Sequence, residues 1–591
     1  MDYVAPLNDF RFVLGDLLDL DGLTRFEQFA HGDLDTAMAL LEESGRFHSE
    51  VIAPLNRIGD IEGSQWQPDG SVTTPSGFAD AYRRYCEAGW SGIQFDPEYG
   101  GGGLPWLIGL ANSEITSSAN MAFALCPMLT HGAIEAVARH GSPEQKAIYL
   151  ENMITGRWSG TMNLSEPQAG SDLGAIATKA VRADDGSYRL AGTKIFITWG
   201  EHDMAENIVH LVLARVPGAP PGTKGISLFL VPKFLVNADG TLGDRNDVRC
   251  VSIEHKLGIK ASPTAVLSFG EKDGAIGYLV GEEHAGMSYM FTMMNLARLT
   301  VGQEGAAVAE RAYQQALKFA RERTQGRAPA AQPGTASRII EHPDVRRMLL
   351  TMKASIEAAR ALLLLNAHAI DVANASPDAS EQAAAEELVQ ILTPLSKAWV
   401  TEIGLEAVSL AIQIHGGMGY VEETGVAQHF RDLRIAPIYE GTNGIQAVDL
   451  VGRKLGMRQG RALVEFVDRI AETAKTASAS SDAQVAAMGA RLSASVDTAV
   501  VATDYLQQAD HADRLAGASP YLMLLGYLVG GWMMVRSAIV AAPRRAGDGL
   551  YEAKVNTAEF FVHQLMPRTE GLLPAVVAGG EALFSVEEDQ L

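Results

Sequence analysis

Apolar positions along the chain follow two different periods, and the change of period divides it. From about residue 36 to 157 they recur three and four apart, as in DTAMALLEESGRFHSEVIAPL, with Ala, Leu, Glu and Met dominant. That spacing predicts helices. PWLIGLANSEI, after the turn Tyr99-Gly100-Gly101-Gly102-Gly103, is a further helix candidate. Between about 158 and 285 the runs become short and rich in β-branched and aromatic residues: YRLAGTKIFIT, NIVHLVLARV, GISLFLVP, AVLSFG. They are punctuated by Asp185-Gly186, Pro217-Gly218, Pro221-Gly222 and Asp239-Gly240. This predicts an antiparallel barrel or sandwich, with no helix before Gly286. From about 286 to 458 long helical patterns return, including GAAVAERAYQQALKFARER and ALLLLNAHAIDVANA. Residues 326–337, GRAPAAQPGTAS, interrupt them as an exposed loop. A last helical region runs from about 459 to 591, with TAKTASASSDAQ read as a Ser/Ala-rich linker inside it. Segregated blocks of helices, strands and helices predict an α+β multidomain chain rather than a Rossmann fold. Neither GxGxxG after a strand nor GxxxxGK[ST] is found.

Composition changes this picture little. At 591 residues the chain exceeds one compact core, and 47% hydrophobic with 20% charged residues is ordinary for a globular protein. Its 48 basic and 71 acidic residues leave a net charge of -23, which disfavours a nucleic-acid partner. The three cysteines, Cys86, Cys126 and Cys250, lie far apart and indicate neither a disulfide framework nor a zinc site. A reducing cytoplasm fits that usage. The start, MDYVAPLNDFRFVL, lacks the basic and apolar regions of an export signal. Residues 521–535, YLMLLGYLVGGWMMV, are uncharged but end at Arg536, short of the roughly 20 residues of a membrane span. Gly526, Gly530 and Gly531 suit a buried helix at a close helix contact, with membrane attachment the lesser alternative.

Four segments carry candidate chemistry. In residues 162–174, MNLSEPQAGSDLG, a strand-like start runs into a turn that exposes backbone N–H groups and a hydroxyl. Such a turn suits a phosphate or the polar edge of a ring, although any β-turn contains Gly, Ser and Asp. In residues 194–200, KIFITWG, Phe196, Thr198 and Trp199 could stack on a flat cofactor or fill ordinary barrel core. In residues 413–420, QIHGGMGY, three glycines in four positions allow close approach of a ligand. His415 there reads as a hydrogen-bonded structural residue rather than a catalytic one. In residues 435–446, IAPIYEGTNGIQ, Glu440 lies between an apolar run and a turn. Apolar surroundings raise a carboxyl pKa, as a base for a weakly acidic C–H requires; alone, the residue reads first as a solvated loop glutamate.

In this order and spacing the four segments resemble the acyl-CoA dehydrogenase family over residues 36–458. The resemblance implies an N-terminal α-helical domain (36–157), a central β-barrel (158–285) and a C-terminal four-helix bundle (286–458). FAD would lie between barrel and bundle. The 1–35 extension and the additional helical domain at 459–591 resemble longer bacterial members. Glu440 is then the implied base in α,β-dehydrogenation of an acyl-CoA to the trans-2-enoyl-CoA. The thioester carbonyl would bond to the backbone N–H of this glutamate and to a flavin ribityl hydroxyl.

For the cofactor, the resemblance implies Met162, Leu164, Ser165, Gly170, Ser171, Phe196, Ile197, Thr198, Thr442 and Gly444 near the flavin. Arg323 and Gln413 would reach the FAD pyrophosphate, usually from a neighbouring subunit, and Gly416 and Gly417 are implied as cofactor-binding too. Ser171, Asn295, Arg298 and Gly441 are implied on the substrate side. Electron-transfer flavoprotein would accept the electrons, in a homodimer whose tail covers surface used elsewhere for tetramer contacts. Departures are Asn163, where the family has a small residue, Gln428 for Lys or Arg, Asn295 for an acid, and a shortened segment at 322–326. An oxygen-using acyl-CoA oxidase shares the fold and base. A flavin-bearing DNA-binding relative would need a basic groove, which this acidic chain lacks.

Overall fold

The computed structural model describes residues 3–237, 239–332 and 334–591. Residues 1 and 2 of the N-terminal segment and residue 333 of the expected loop lie outside the described residues. Helical periodicity at the start becomes α1 (Leu34–Phe47), α2 (Trp106–Ala119) and α3 (Met121–His140), among shorter helices. Asn120 caps α3 through the Phe123 amide at 3.2 Å. The N-terminus of α2 is capped from far along the chain. Asp371 accepts from the Trp106 and Leu107 amides at 2.7 and 2.9 Å, which fixes α2 on the bundle.

Among the described residues eight strands form the main sheet, β1 (Trp158–Asn163), β2 (Lys179–Arg182), β3 (Tyr188–Thr198), β4 (Asn207–Ala214), β5 (Ser227–Pro232), β6 (Val248–Ile253), β7 (Thr264–Phe269) and β8 (Ala275–Leu279), and a separate antiparallel pair joins Phe234–Val236 to Leu242–Arg245. The eight pair in the order β6-β7-β3-β8-β5-β4-β1, with β2 also on β3. The pairing is antiparallel except between β1 and β4, which run parallel. An all-antiparallel expectation misses this pair, because the chain crosses over between the two strands rather than turning directly. Phe229, Val212 and Leu267 fill one side of the sheet; Leu211, Leu228 and Leu230 face α3 and the bundle on the other.

Three long helices form the bundle: α4 (Gly286–Glu322), α5 (Pro343–Ala375) and α6 (Ala379–His415). The loop at 326–337 closes on itself through Gln325 N–H to Ser337 O (2.9 Å) and Ser337 N–H to Gly326 O (3.0 Å). After α6 the chain forms a short helix, Val426–Leu433, and then turns through residues 434–442 into α7 (Asn443–Asp449). Of the C-terminal helices α8 (Arg461–Ser478), α9 (Ala483–Gln508), α10 (Ala518–Ala541) and α11 (Gly549–Phe560), α10 packs on both α5 and α6, α11 on α5 and α8 on α6, while α9 packs on α8 and α10.

Two expectations change here. The Ser/Ala-rich linker is mostly helix, since alanine favours helix and only a tight turn separates α8 from α9. Asp482 caps α9 through the Gln484 and Val485 amides. The apolar stretch at 521–535 lies in a longer helix than its charge-free core suggests. Among the described residues three helices are long and apolar enough to cross a membrane, with 83%, 44% and 78% of their apolar windows buried in the protein: those at 121–140, 483–508 and 518–544. In α10, Cβ atoms at Gly526 and Gly530 would overlap Trp399 of α6, which explains both glycines by close helix contact.

Candidate active site

Glu440 sits in the turn between α6 and α7, at φ +57, and Gly441 follows at φ +82. Two successive left-handed residues turn the carboxylate away from the chain's own hydrogen bonding. A non-glycine residue there is strained and must be held by its surroundings. The holding is visible on both sides. Tyr439 donates its hydroxyl to the buried carboxyl of Glu304 on α4. Asn443 receives Lys397 Nζ at 2.9 Å and donates to Thr401 Oγ1 at 3.1 Å and Glu402 Oε1 at 2.8 Å, all on α6. Thr442 caps α7 by accepting from the Ile445 amide at 3.1 Å.

Glu440 itself is half-buried, and its carboxylate has neither hydrogen bond nor ion pair among the described residues. Its backbone N–H likewise finds no acceptor among them. Burial raises its pKa, opposed by the charges of Arg298 and Lys397. Glu304 is pushed up by burial to about 8, and Lys397 is pulled down by burial to about 7. Arg298, also lowered by burial, donates to Asn295 Oδ1 at 3.3 Å, while its buried Nε has no partner among the described residues. A Cβ at Gly441 would lie 3.8 Å from Arg298 Nη2. A basic carboxylate, a free amide N–H and a buried guanidinium thus share one place. That set can take a proton from carbon and stabilise negative charge on a neighbouring oxygen.

The residues expected around a flavin fall into two groups. The first and second segments abut: Ile195 N–H donates to Ser165 O at 3.0 Å, and buried Lys194 bonds Leu164 O at 2.9 Å and Glu166 Oε1 at 2.8 Å. Glu166 in turn accepts from the Ala177 amide (2.7 Å) and the Thr178 hydroxyl (2.6 Å), which fixes the loop on β3. Met162 and Ile197 are buried, Leu164, Ser165 and Thr198 half-buried, Gly170 and Ser171 exposed. Phe196, at φ +59, leaves the strand pattern and is 61% exposed, whereas Trp199 is fully buried and donates to Ala122 O of α3. Near the base, Thr442 and Gly444 border the same turn.

The second group stands elsewhere. Arg323 ends α4 and Gln413 lies in the last turn of α6, both exposed, followed by Gly416 and Gly417, where a Cβ would meet nothing within 4 Å. His415 joins these ends, stacked on Phe319 with ring centres 4.4 Å apart and bonded to Ala411 O at 2.7 Å, in keeping with a structural role. Along α4 this end is about 28 Å from Glu304. One protomer therefore does not bring Arg323, Gln413, Gly416 and Gly417 to its own base.

Four family models cover the chain: acyl-CoA dehydrogenase N-terminal domain (residues 35–157), middle domain (161–271) and C-terminal domain (284–455), and acetyl-CoA dehydrogenase C-terminal like (466–587). The 3-methylmercaptopropionyl-CoA dehydrogenase of Ruegeria pomeroyi is 46% identical, across 99% of this chain and 100% of that one. The chain belongs to the acyl-CoA dehydrogenase family. A broad-specificity linear acyl-CoA dehydrogenase of Mycobacterium tuberculosis is 36% identical over 96% of each chain. An acyl-CoA dehydrogenase of Bacillus anthracis, solved with FAD, shares the fold at a TM-score of 0.73 and 22% identity, covering 94% of this chain and 89% of that one.

The protein is thus an oxidoreductase acting on CH–CH groups, with FAD as its cofactor. The residues present fit FAD: an exposed ring at Phe196 beside the hydroxyls of Thr198 and Ser165, and an exposed guanidinium at Arg323. Glu304, Lys397 and Tyr439 were not among the residues singled out in the sequence. The available signal was a lone charge in each of two apolar stretches, LTVGQEGAAVA and ILTPLSKAWV.

Proposed function

We propose that Glu440 is the base that removes the α-proton of an acyl-CoA thioester, giving the trans-2-enoyl-CoA. The supporting observation is its carboxylate: raised in pKa by burial, unpartnered among the described residues, and set on a strained turn beside Arg298. The α-proton passes to Glu440, and the β-hydrogen leaves the substrate with its electron pair. FAD, when bound, supplies the acceptor for that hydride. The Glu440 N–H is available to the thioester oxygen, and the nearby Arg298 charge favours negative charge there, which acidifies the α-carbon. Electrons then leave to electron-transfer flavoprotein. A homodimer would carry Arg323 and Gln413 of one protomer to the flavin of the other.

Identity of 46% over the whole chain favours 3-methylmercaptopropionyl-CoA as substrate. A straight-chain acyl-CoA is the second reading, favoured by the 36% identical relative that acts on linear acyl-CoAs. A rate profile across acyl-CoA lengths, including the thioether, separates the two.

Glu440→Gln tests the base. The variant is expected to hold FAD and bind acyl-CoA, yet to lose at least about 10²–10⁴-fold in anaerobic flavin reduction. Near-normal reduction would move the base elsewhere. Rapid peroxide formation on mixing the reduced enzyme with air would instead make it an oxidase.

A further inference from the structure

Lys397 is out of place by the ordinary rules of burial. It lies on α6 between Leu395, Ala398 and Trp399, fully buried, and lysine is seldom buried unless paired. Among the described residues it forms no ion pair. Its hydrogen bond runs to a neutral acceptor, Asn443 Oδ1, at 2.9 Å. That asparagine stands three residues beyond Glu440, at the far side of the left-handed turn. On the near side Tyr439 is tied to Glu304 of α4. The two bundle helices thus grip the turn from either flank, each with a buried ionisable group.

We propose that Lys397 is a positioning residue for the base. Through Asn443 it pins the turn that presents Glu440, and its ammonium is the counter-charge that keeps the Glu440 carboxylate ionised in an apolar setting. This rests on Glu440 being the base. Other groups bear on the same charge balance. Glu304 and Arg298 face it from α4 and Tyr439 from the turn; Glu402 lies on α6 itself; Asp449 and Arg453 act through Arg298. Arg298 is the larger opposing charge on Glu440 and Lys397 the second. Burial pushes the Glu304 carboxyl up, which lessens negative charge beside the base, and Lys397, pulled down by burial to about 7, carries its positive charge on the acid side of neutrality, where the limb of Glu440 lies.

The sign follows. Removing the positive charge of Lys397 leaves burial less opposed, so Glu440 holds its proton to a higher pH. The acid limb of the rate profile therefore moves up. A residue that merely filled space would lower the rate equally at every pH.

The experiment uses the FAD-loaded full chain, with butyryl-CoA and 3-methylmercaptopropionyl-CoA as probes. Anaerobic flavin reduction is followed from pH 5.5 to 9.5 in Lys397→Met, Asn443→Asp and Glu440→Gln. Lys397→Met is expected to move the acid limb up by about one unit, a tenfold loss at pH values below it. Asn443→Asp keeps the lysine and sets a carboxylate against its ammonium, so that the positive charge is offset at Glu440 and a negative one is added; exposed Glu402 can turn aside, and an upward shift is again expected. This second variant carries the test if a buried methionine prevents folding. An unmoved limb in a folded, FAD-loaded Lys397→Met or Asn443→Asp overturns the proposal. Near-normal reduction by Glu440→Gln overturns the base assignment instead, so the two failures are distinct.

Discussion

A single glycine decides whether Glu440 can be where it is. At φ +82, Gly441 occupies a region that side chains enter at a cost of roughly 1–2 kcal/mol. A Cβ there would also lie 2.9 Å from Gln446 Nε2. Gly441→Ala is expected to leave the fold intact and to shift the neighbouring carboxylate. A displacement on the order of 1 Å costs about 10²-fold in rate. Stopped-flow flavin reduction beside a thermal melt checks this: a rate within twofold of wild type would show that the turn tolerates a side chain. At this scale the sequence is partly legible. Glu440 stands out because an apolar run meets a Gly-Thr-Asn-Gly turn. Glu304 and Lys397 do not, because one charge among alanines and leucines reads as a solvated helix face. Only the packing of α4 and α6 against the turn reveals both as buried.

Elements were read more fully than contacts. The strand YRLAGTKIFIT coincides with β3, and PWLIGLANSEI opens α2. The parallel pairing of β1 with β4 was hidden because strand sequence carries no direction of pairing. The helical hairpin at 479–482 was hidden because serine and alanine suit a linker and a capped helix alike. In α10 the glycines give a sharper signal. Gly526 admits the Trp399 ring where a Cβ would overlap it, so Gly526→Ala must displace either the indole or the helix. Overpacking of this kind costs about 1–3 kcal/mol. The expected result is a lower melting temperature and earlier protease cleavage in the C-terminal domain, with the spectrum of bound FAD unchanged. An unaltered melt would show that α6 and α10 have room to part.

Across the whole molecule, four segments remote in sequence meet at one guanidinium. Arg360 of α5 is 1% exposed, and bonds Glu114 of α2 at 2.8 Å, Glu310 of α4 at 2.9 Å, and Asp9 of the N-terminal segment. Asp9 also pairs with Lys554 of α11, which bonds Glu357 of α5 at 2.9 Å. The N-terminal segment is thus wedged between bundle and C-terminal helices, with Phe10 and Phe12 buried beside it. Removing one member of a buried ion pair is far costlier than the pair is worth, because the remaining charges stay desolvated. Arg360→Met leaves three carboxylates around an apolar side chain. The expected loss is about 3–5 kcal/mol. It should appear first as protease sensitivity where the N-terminal segment meets α2 and α4, while its ties to the C-terminal helices, Asp9 to Lys554 and Asp16 to Tyr551 at 2.9 Å, remain. Added salt should change the wild type little, because buried pairs are screened far less than exposed ones. If Arg360→Met melts like wild type, hydrophobic burial by Phe10, Phe12 and the Trp399 contact holds the domains, and the charges serve only to fix which segments meet.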